Sequence, residues 1–222
     1  MEGYDSYETT MEHSSNALST SQFQQQIKEG AIILDDRSAN EFAAGFIPNS
    51  INIGLDGGFA IFVGSLIQFN TPLILVSPEG KEQESLIRLA RIGYDNIKGY
   101  LKGGIESWKK EKLSLDSIAC IEASELENYI KTGEYTLVDV RNKSEGIATG
   151  KLKNSLSISL DEIQNELTKF SKDESYILYC AGGYRSMIAA SILKQAGVKN
   201  VFSVAGGIKK IKEEVAALVE FV

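Results

Sequence analysis

The chain repeats itself. Laid on itself at a spacing of 103 to 105 residues, Phe23, Ile27 and Gly30 meet Leu126, Ile130 and Gly133, and Ile32 to Arg37 meets Thr136 to Arg141. Glu41 then falls on Glu145, Ser50 to Ile53 on Ser155 to Ile158, and Leu73 to Ser77 on Tyr176 to Cys180. Gly93 to Ile97 meets Gly197 to Val201, and Gly103-Gly104-Ile105 meets Gly206-Gly207-Ile208. Solenoid units run about 20 to 50 residues, so a repeat this long means duplicated domains. Within each copy, short apolar runs such as Ile177-Leu178-Tyr179 and Asn200 to Val204 alternate with helical patterns such as Met187 to Ala196. Unbroken apolar strands separated by helices belong to a parallel sheet covered on both faces. The expected fold is therefore α/β, two tandem domains, each a small parallel sheet flanked by helices. The expected organisation is a polar tail over 1–17, a first domain over 18–112 and a second over 113–222. Lys109 to Ser117, with its charged run Lys109 to Lys112, is expected to hold the boundary as a solvated linker face, and Trp108 before it to be a packing residue.

Composition excludes several functions. The net charge of −7 gives no global basic field for a phosphate backbone, so nucleic acid is not an expected partner. No apolar run approaches the roughly 20 residues that span a bilayer, and Met1 opens onto polar, acidic residues, so a cytoplasmic protein with no membrane partner is expected. The sole histidine, His13, lies in a polar stretch that reads as a tail, which removes a Ser-His-Asp triad. His13 and two cysteines 60 positions apart fit no closely spaced zinc motif, so no metal and no cofactor are expected.

The stretch Cys180-Ala181-Gly182-Gly183-Tyr184-Arg185-Ser186 follows an apolar strand and opens a helix. At such a junction the N–H groups of the helix start converge, and glycines let the chain curl around an anion. The helix terminus and Arg185 both favour thiolate over thiol, which supplies a nucleophile without a histidine base. Cys120, in Ser117 to Ile121, has no such loop and is expected to be a packed strand or linker residue. The first copy provides an internal control. Ser77 stands where Cys180 stands, with no base expected to activate it; Pro78 removes a backbone donor at the Ala181 position, and Glu82 replaces Arg185. One active and one inactive copy are expected.

These motifs resemble a tandem rhodanese, or thiosulfate sulfurtransferase, module over nearly all of Leu18 to Val222. The resemblance is carried by Leu137 to Arg141, Cys180 to Ser186 and Val204 to Ile208 in the second copy. In the first it is carried by Leu34 to Arg37, Glu41-Phe42, Gly45 to Ile53 and Gly103 to Trp108. It implies that Cys180 takes a sulfane sulfur from a small anionic donor and passes it to a thiophilic acceptor. The amides of Ala181, Gly182, Gly183, Tyr184 and Ser186 would hold the persulfide, Arg185 would attract the donor, and Asp139 and Arg141 would pin the loop. The second copy departs from the family's His-Ile-Pro, having Gly150 to Asn154, whose lysines would add positive charge near the donor. The stretch Cys180 to Ser191 is also similar to the C-terminal halves of metallo-β-lactamase-fold proteins fused to two rhodanese domains. That likeness implies an upstream metal domain in a longer parent, and the polar, non-periodic composition of Met1 to Asn16 suggests a remnant of an interdomain segment. Three rivals stand beside it: a phosphatase, whose Cys-x5-Arg motif is one residue longer than the Cys180 to Arg185 spacing; thiol-disulfide exchange, which lacks a Cys-x-x-Cys pair; and a non-catalytic binding module.

Overall fold

A computed structural model describes residues 16–221. His13, and the tail up to residue 15, lie outside the described residues. Contacts divide the chain into two compact units between Asp116 and Ser117, with Ala43–Gly45 grouped with the second unit.

In the first unit the chain runs β1 (Ala17–Leu18), α1 (Thr20–Lys28), β2 (Ile32–Asp35), α2 (Ala39–Ala44), β3 (Ile51–Asn52) and α3 (Phe59–Leu66). It continues through β4 (Leu73–Val76), α4 (Glu82–Arg91), β5 (Ile97–Leu101) and α5 (Gly104–Lys110). Ser19 starts α1 with a capping box: its Oγ accepts the Gln22 N–H at 3.3 Å, and Gln22 Oε1 accepts the Ser19 N–H at 2.9 Å. The five strands pair in parallel in the order β1-β5-β4-β2-β3. Ala17, expected in the tail, is thus the first residue of an edge strand. Trp108 packs edge-on against Phe23 and donates its indole N–H to the Ser114 carbonyl at 3.0 Å. Lys109 and Lys110 belong to the last turn of α5, not to a linker, where cations sit well against the carbonyl end of the helix dipole.

The second unit repeats the plan. It contains β6 (Ala119–Ile121), α6 (Leu126–Thr132), β7 (Tyr135–Asp139), α7 (Lys143–Thr149), β8 (Lys151–Leu152) and β9 (Leu156–Ser157). After these come β10 (Ser175–Tyr179), α8 (Tyr184–Gln195), β11 (Asn200–Val204), α9 (Gly207–Glu214) and β12 (Val219–Glu220). Its parallel sheet has the order β6-β11-β10-β7-β9, the same winding as the first. Ile177, Leu178 and Tyr179 are fully buried because helices cover both faces of the sheet. Each such aliphatic side chain contributes about 1.5–3 kcal/mol by leaving water. Helix α8 is buried from Ser186 through Leu193, as a helix without a polar face must be. Among the described residues no helix is long and apolar enough to cross a membrane.

Winding reverses between β7 and β10: β7 leads outward to β9 on one side, and β10 to β11 on the other. The crevice beyond the carboxyl ends of those two strands is where such sheets place ligands. The Cys180 loop follows β10, and Asp139 ends β7.

Two glycines test the backbone argument. Gly207 has φ +56°, and a Cβ there would sit 2.4 Å from the Cys180 carbonyl oxygen. Gly133, at the C-terminus of α6, has φ +72° with open space around it. Gly133→Ala should cost about 1 kcal/mol from the left-handed backbone alone. Gly207→Ala should cost about 2–4 kcal/mol, because clash adds to strain. Urea unfolding of the two variants measures the difference, and equal losses would remove the close-approach argument.

Candidate active site

Cys180 is 1% exposed and lies at the mouth of the turn between β10 and α8. Gly183 caps α8 at φ +103°, a conformation open to glycine, and this bends its own N–H back to Cys180 Sγ at 3.1 Å. The loop is held from beneath by α9. The amides of Ile208 and Lys209 donate to the carbonyls of Cys180 and Ala181 at 2.8 and 3.3 Å, across a gap that only the bare Cα of Gly207 allows. Two loop carbonyls are thereby committed to α9, while the N-terminal dipole of the 12-residue α8 faces the thiol end. Ser186, buried in the first turn of α8, donates to the Gly183 carbonyl at 3.0 Å and pairs with the Ser203 hydroxyl at 2.9 Å. Ala181 and Gly182 are exposed, and Gly183, Tyr184 and Arg185 are half-buried.

Arg185 differs from the sequence expectation. Its guanidinium is not left open for an anion but grips Glu145 in a bidentate pair, Nη1 to Oε1 at 2.6 Å and Nη2 to Oε2 at 2.8 Å. The guanidinium holds the Glu145 carboxyl below the usual glutamate range, and the carboxylate raises the Arg185 pKa in turn. A depressed carboxyl pKa means the pair is intact at neutral pH and is lost only as pH falls below the ordinary glutamate range. Glu145 also accepts the Asn142 N–H at 3.3 Å, closing the capping box of α7. Sequence reasoning matched Glu145 to Glu41 but gave it no role. The Asn142-x-x-Glu145 spacing was its signal.

Asp139 and Arg141 form a buried ion pair, with Nε to Oδ1 at 2.8 Å and Nη2 to Oδ2 at 2.6 Å. Arg141 reaches further, but to the Thr149 hydroxyl at 2.9 Å and the Gly150 carbonyl at 2.8 Å, not to the cysteine loop. Its guanidinium also lies 5.7 Å from the ring centre of Tyr179, the residue before Cys180. Burial and the Asp139 charge push the Tyr179 phenol well above its ordinary range, so the phenol stays neutral. It accepts the Leu152 N–H and pairs with Ser155. In the 150–154 loop the Lys153 ammonium keeps its charge and donates to the Ala217 carbonyl at 3.1 Å. Lys151 lies on β8, paired with β12.

Cys120 is exposed on β6, an edge strand, and not packed as expected. Partial desolvation of its thiol and the nearby Glu122 carboxylate raise its pKa, which keeps it a thiol at neutral pH. In the first unit, Ser77 is buried and donates to Asp36 Oδ2 at 3.0 Å. The expectation of a serine without a neighbouring base is thus overturned: a carboxyl stands where the second unit has Val140. The repeat already aligned Asp35-Asp36-Arg37 with Asp139-Val140-Arg141, and the middle residue was overlooked.

A doubly wound parallel module that sets a buried cysteine against a glycine-bent helix start is a thiol-bearing α/β domain. The chain belongs to the rhodanese-like domain family, whose model matches residues 19–111 and 122–214. It is 34% identical over 94 residues to a tRNA uridine(34) hydroxylase of Hamiltonella defensa, covering 40% of this chain and 26% of that protein. It is 30% identical over 113 residues to a protein of the same name from Prochlorococcus marinus, covering 46% of this chain and 36% of that protein. The chain thus spans about a third or less of the length of these relatives. Among solved structures, it is similar to a rhodanese-related protein of Thermoplasma volcanium, at 36% identity and TM-score 0.40, over 44% of this chain and 93% of that one. A rhodanese-like domain protein of Staphylococcus aureus gives 30% identity and TM-score 0.43, over 47% and 99%.

Freeing Arg185 should strengthen anion binding. In a Cys180→Ser background, Glu145→Gln keeps the α7 capping box, removes a carboxylate from the rim and releases the guanidinium. Thiosulfate should then bind roughly three- to tenfold more tightly by calorimetry, with the gain shrinking at high salt. Unchanged affinity would show that the Arg185 charge does not reach the anion.

Proposed function

We propose that the second module is a sulfurtransferase acting through Cys180. The observation that supports this most directly is the Gly183 N–H aimed at Cys180 Sγ from the start of α8, 3.1 Å away. A donor held there by the helix terminus is also held against the sulfur that attacks it. The Cys180 thiolate attacks the outer sulfur of thiosulfate or a low-molecular-weight persulfide. A new S–S bond forms to Cys180, the donor's bond to that sulfur breaks, and sulfite or a thiolate leaves with the electron pair. A thiophilic acceptor then attacks the terminal sulfur, and the Cys180 thiolate departs. The two displacements need no outside oxidant or reductant and no cofactor.

In this reading the amides of Ala181, Gly182, Gly183, Tyr184 and Ser186 line the persulfide, and Arg185, held by Glu145, shapes the rim. Asp139 and Arg141 fix the strand ends beneath. The first module, with Ser77 in place of the cysteine, transfers no sulfur. A cytoplasmic setting, and an upstream metallo-β-lactamase-fold domain in a longer parent, belong to the same proposal. The two free cysteines support the first, and the Cys180 to Ser191 stretch supports the second.

The names of the curated relatives favour a second reading, in which the Cys180 loop serves uridine 34 chemistry on tRNA. The net charge of −7 works against binding a polyanion. Salt-dependent binding of tRNA that competes with thiosulfate would support this second reading over the small-donor one.

Intact-mass measurement after treatment with thiosulfate or glutathione persulfide tests the first reading. The full chain should gain one sulfur, lose it on adding cyanide, and gain none when Cys180→Ser is introduced. Cys120→Ser should behave as the unmodified chain. Absence of an adduct from every donor would sink the proposal.

A further inference from the structure

An anionic sulfur donor has to approach Cys180 in a chain of net charge −7, so a local cation has to offset the global repulsion. Arg185 is already spent, since both of its terminal nitrogens go to Glu145. Arg141 is buried on Asp139, Thr149 and Gly150. Helix α9, which packs beneath the cysteine loop, carries Lys209, Lys210 and Lys212. Lys210 pairs with Glu213 and Glu214, and Lys212 lies 5.7 Å from the centre of the Phe221 ring. Lys209 is exposed and has no ion-pair partner among the described residues. Its own amide donates to the Ala181 carbonyl at 3.3 Å, so its flexible four-carbon stem starts at the rim of the cysteine loop.

Two observations set Lys209 apart from an ordinary surface lysine. It stands in the first turn of α9, where the helix dipole disfavours a cation and no acidic residue is present to offset it. The first module has Glu106 at the same place after its glycine pair, the charge that a helix start prefers. There the carboxylate is paired with Lys109 of its own helix at 2.6 Å. Between the modules, charge reverses at two rim positions together, Glu82 against Arg185 and Glu106 against Lys209. Both reversals attract an anion to the copy that has the thiol. We propose that Lys209 recruits the sulfur donor to Cys180, its ammonium meeting the donor's anionic end while the amides at the start of α8 receive the sulfur. Arg185 holds the shape of the rim and Lys209 supplies its charge. The proposal rests on the sulfurtransferase reading for the identity of the anion, and it adds a preference for a small, strongly anionic donor such as thiosulfate.

Reagents of similar size and different charge separate this role from a structural one. In the full chain carrying Cys120→Ser, which leaves Cys180 as the only thiol, alkylation by iodoacetate is compared with alkylation by neutral iodoacetamide, and the rate of sulfur gain from thiosulfate is followed by intact mass. Lys209→Gln should slow iodoacetate about two- to threefold and thiosulfate, a dianion, about three- to tenfold, with iodoacetamide changed by less than about twofold. Lys209→Glu should slow both anions further, and Lys209→Arg should restore them. The differences should vanish in roughly 1 M salt, where the screening length is about 3 Å. Thermal unfolding of the three variants establishes that they fold, and Lys209→Glu should melt at or above the parent because a glutamate suits a helix start. Equal slowing of the charged and neutral reagents, anion rates indifferent to all three substitutions, or failure of arginine to restore them would overturn the proposal. If thiosulfate adds sulfur equally fast in every variant, the transferase reading stands and the role of Lys209 falls. If no donor leaves sulfur on Cys180 while iodoacetate still follows the charge of residue 209, the transferase reading falls and the recruitment of small anions by Lys209 stands.

Discussion

The second module depends on one backbone contact. The Ile208 N–H reaches the Cys180 carbonyl at 2.8 Å because Gly207 has no Cβ to fill the gap. That hydrogen bond fixes where the sheet's central strand ends, and so fixes where the thiol is presented and which way α8 starts. The first module carries the same glycine at Gly104, with φ +55°, but a Cβ there would sit 3.4 Å from the Ser77 carbonyl, an ordinary contact. Both modules keep the turn, and the tight approach is confined to the one with the cysteine.

Charge is treated in the same divided way. Each module buries an aspartate and an arginine two residues apart at the end of its second sheet strand, Asp35 with Arg37 and Asp139 with Arg141. A buried pair recovers its desolvation cost only when its remaining donors are satisfied, and Arg141 does this through Thr149 and Gly150. Such pairs belong to the scaffold, which is why duplication preserved both. The groups above them do not follow the scaffold. Glu145 meets Arg185 in the second module, whereas Glu41 in the first turns to Ser38 because Glu82 occupies the arginine's place.

The repeat made most of the fold legible in the sequence. Strands such as Leu73–Val76 are buried on both faces and therefore read as unbroken apolar runs. The edges were less legible. Cys120 looks apolar in Ser117 to Ile121, but β6 has a neighbour on one side only, and two of its three residues face water. At the site, the thiol and glycine turn were readable because spacing alone imposes them. The engagement of Arg185 was not readable, since its partner lies 40 residues away and meets it only after folding. Asp36 was visible in the aligned repeat, yet a carboxyl beside a known Asp-x-Arg pair reads as surface charge until its burial is seen.

The two crevices show how one winding can carry linings of different character. In both modules the strand order brings the same loops to the carboxyl end of the sheet, so position is fixed by topology. Polarity is fixed by a few side chains in those loops. Cysteine, two glycines and arginine after β10 make a donor-lined turn at a helix start. Serine, proline and glutamate after β4 remove donors, and Asp36 adds an acceptor beneath them. The cost of burying the Asp36 carboxyl is met by protonation: burial pushes its pKa up to about 8, so at neutral pH the neutral acid sits beside the Ser77 hydroxyl and no charge is buried under the turn.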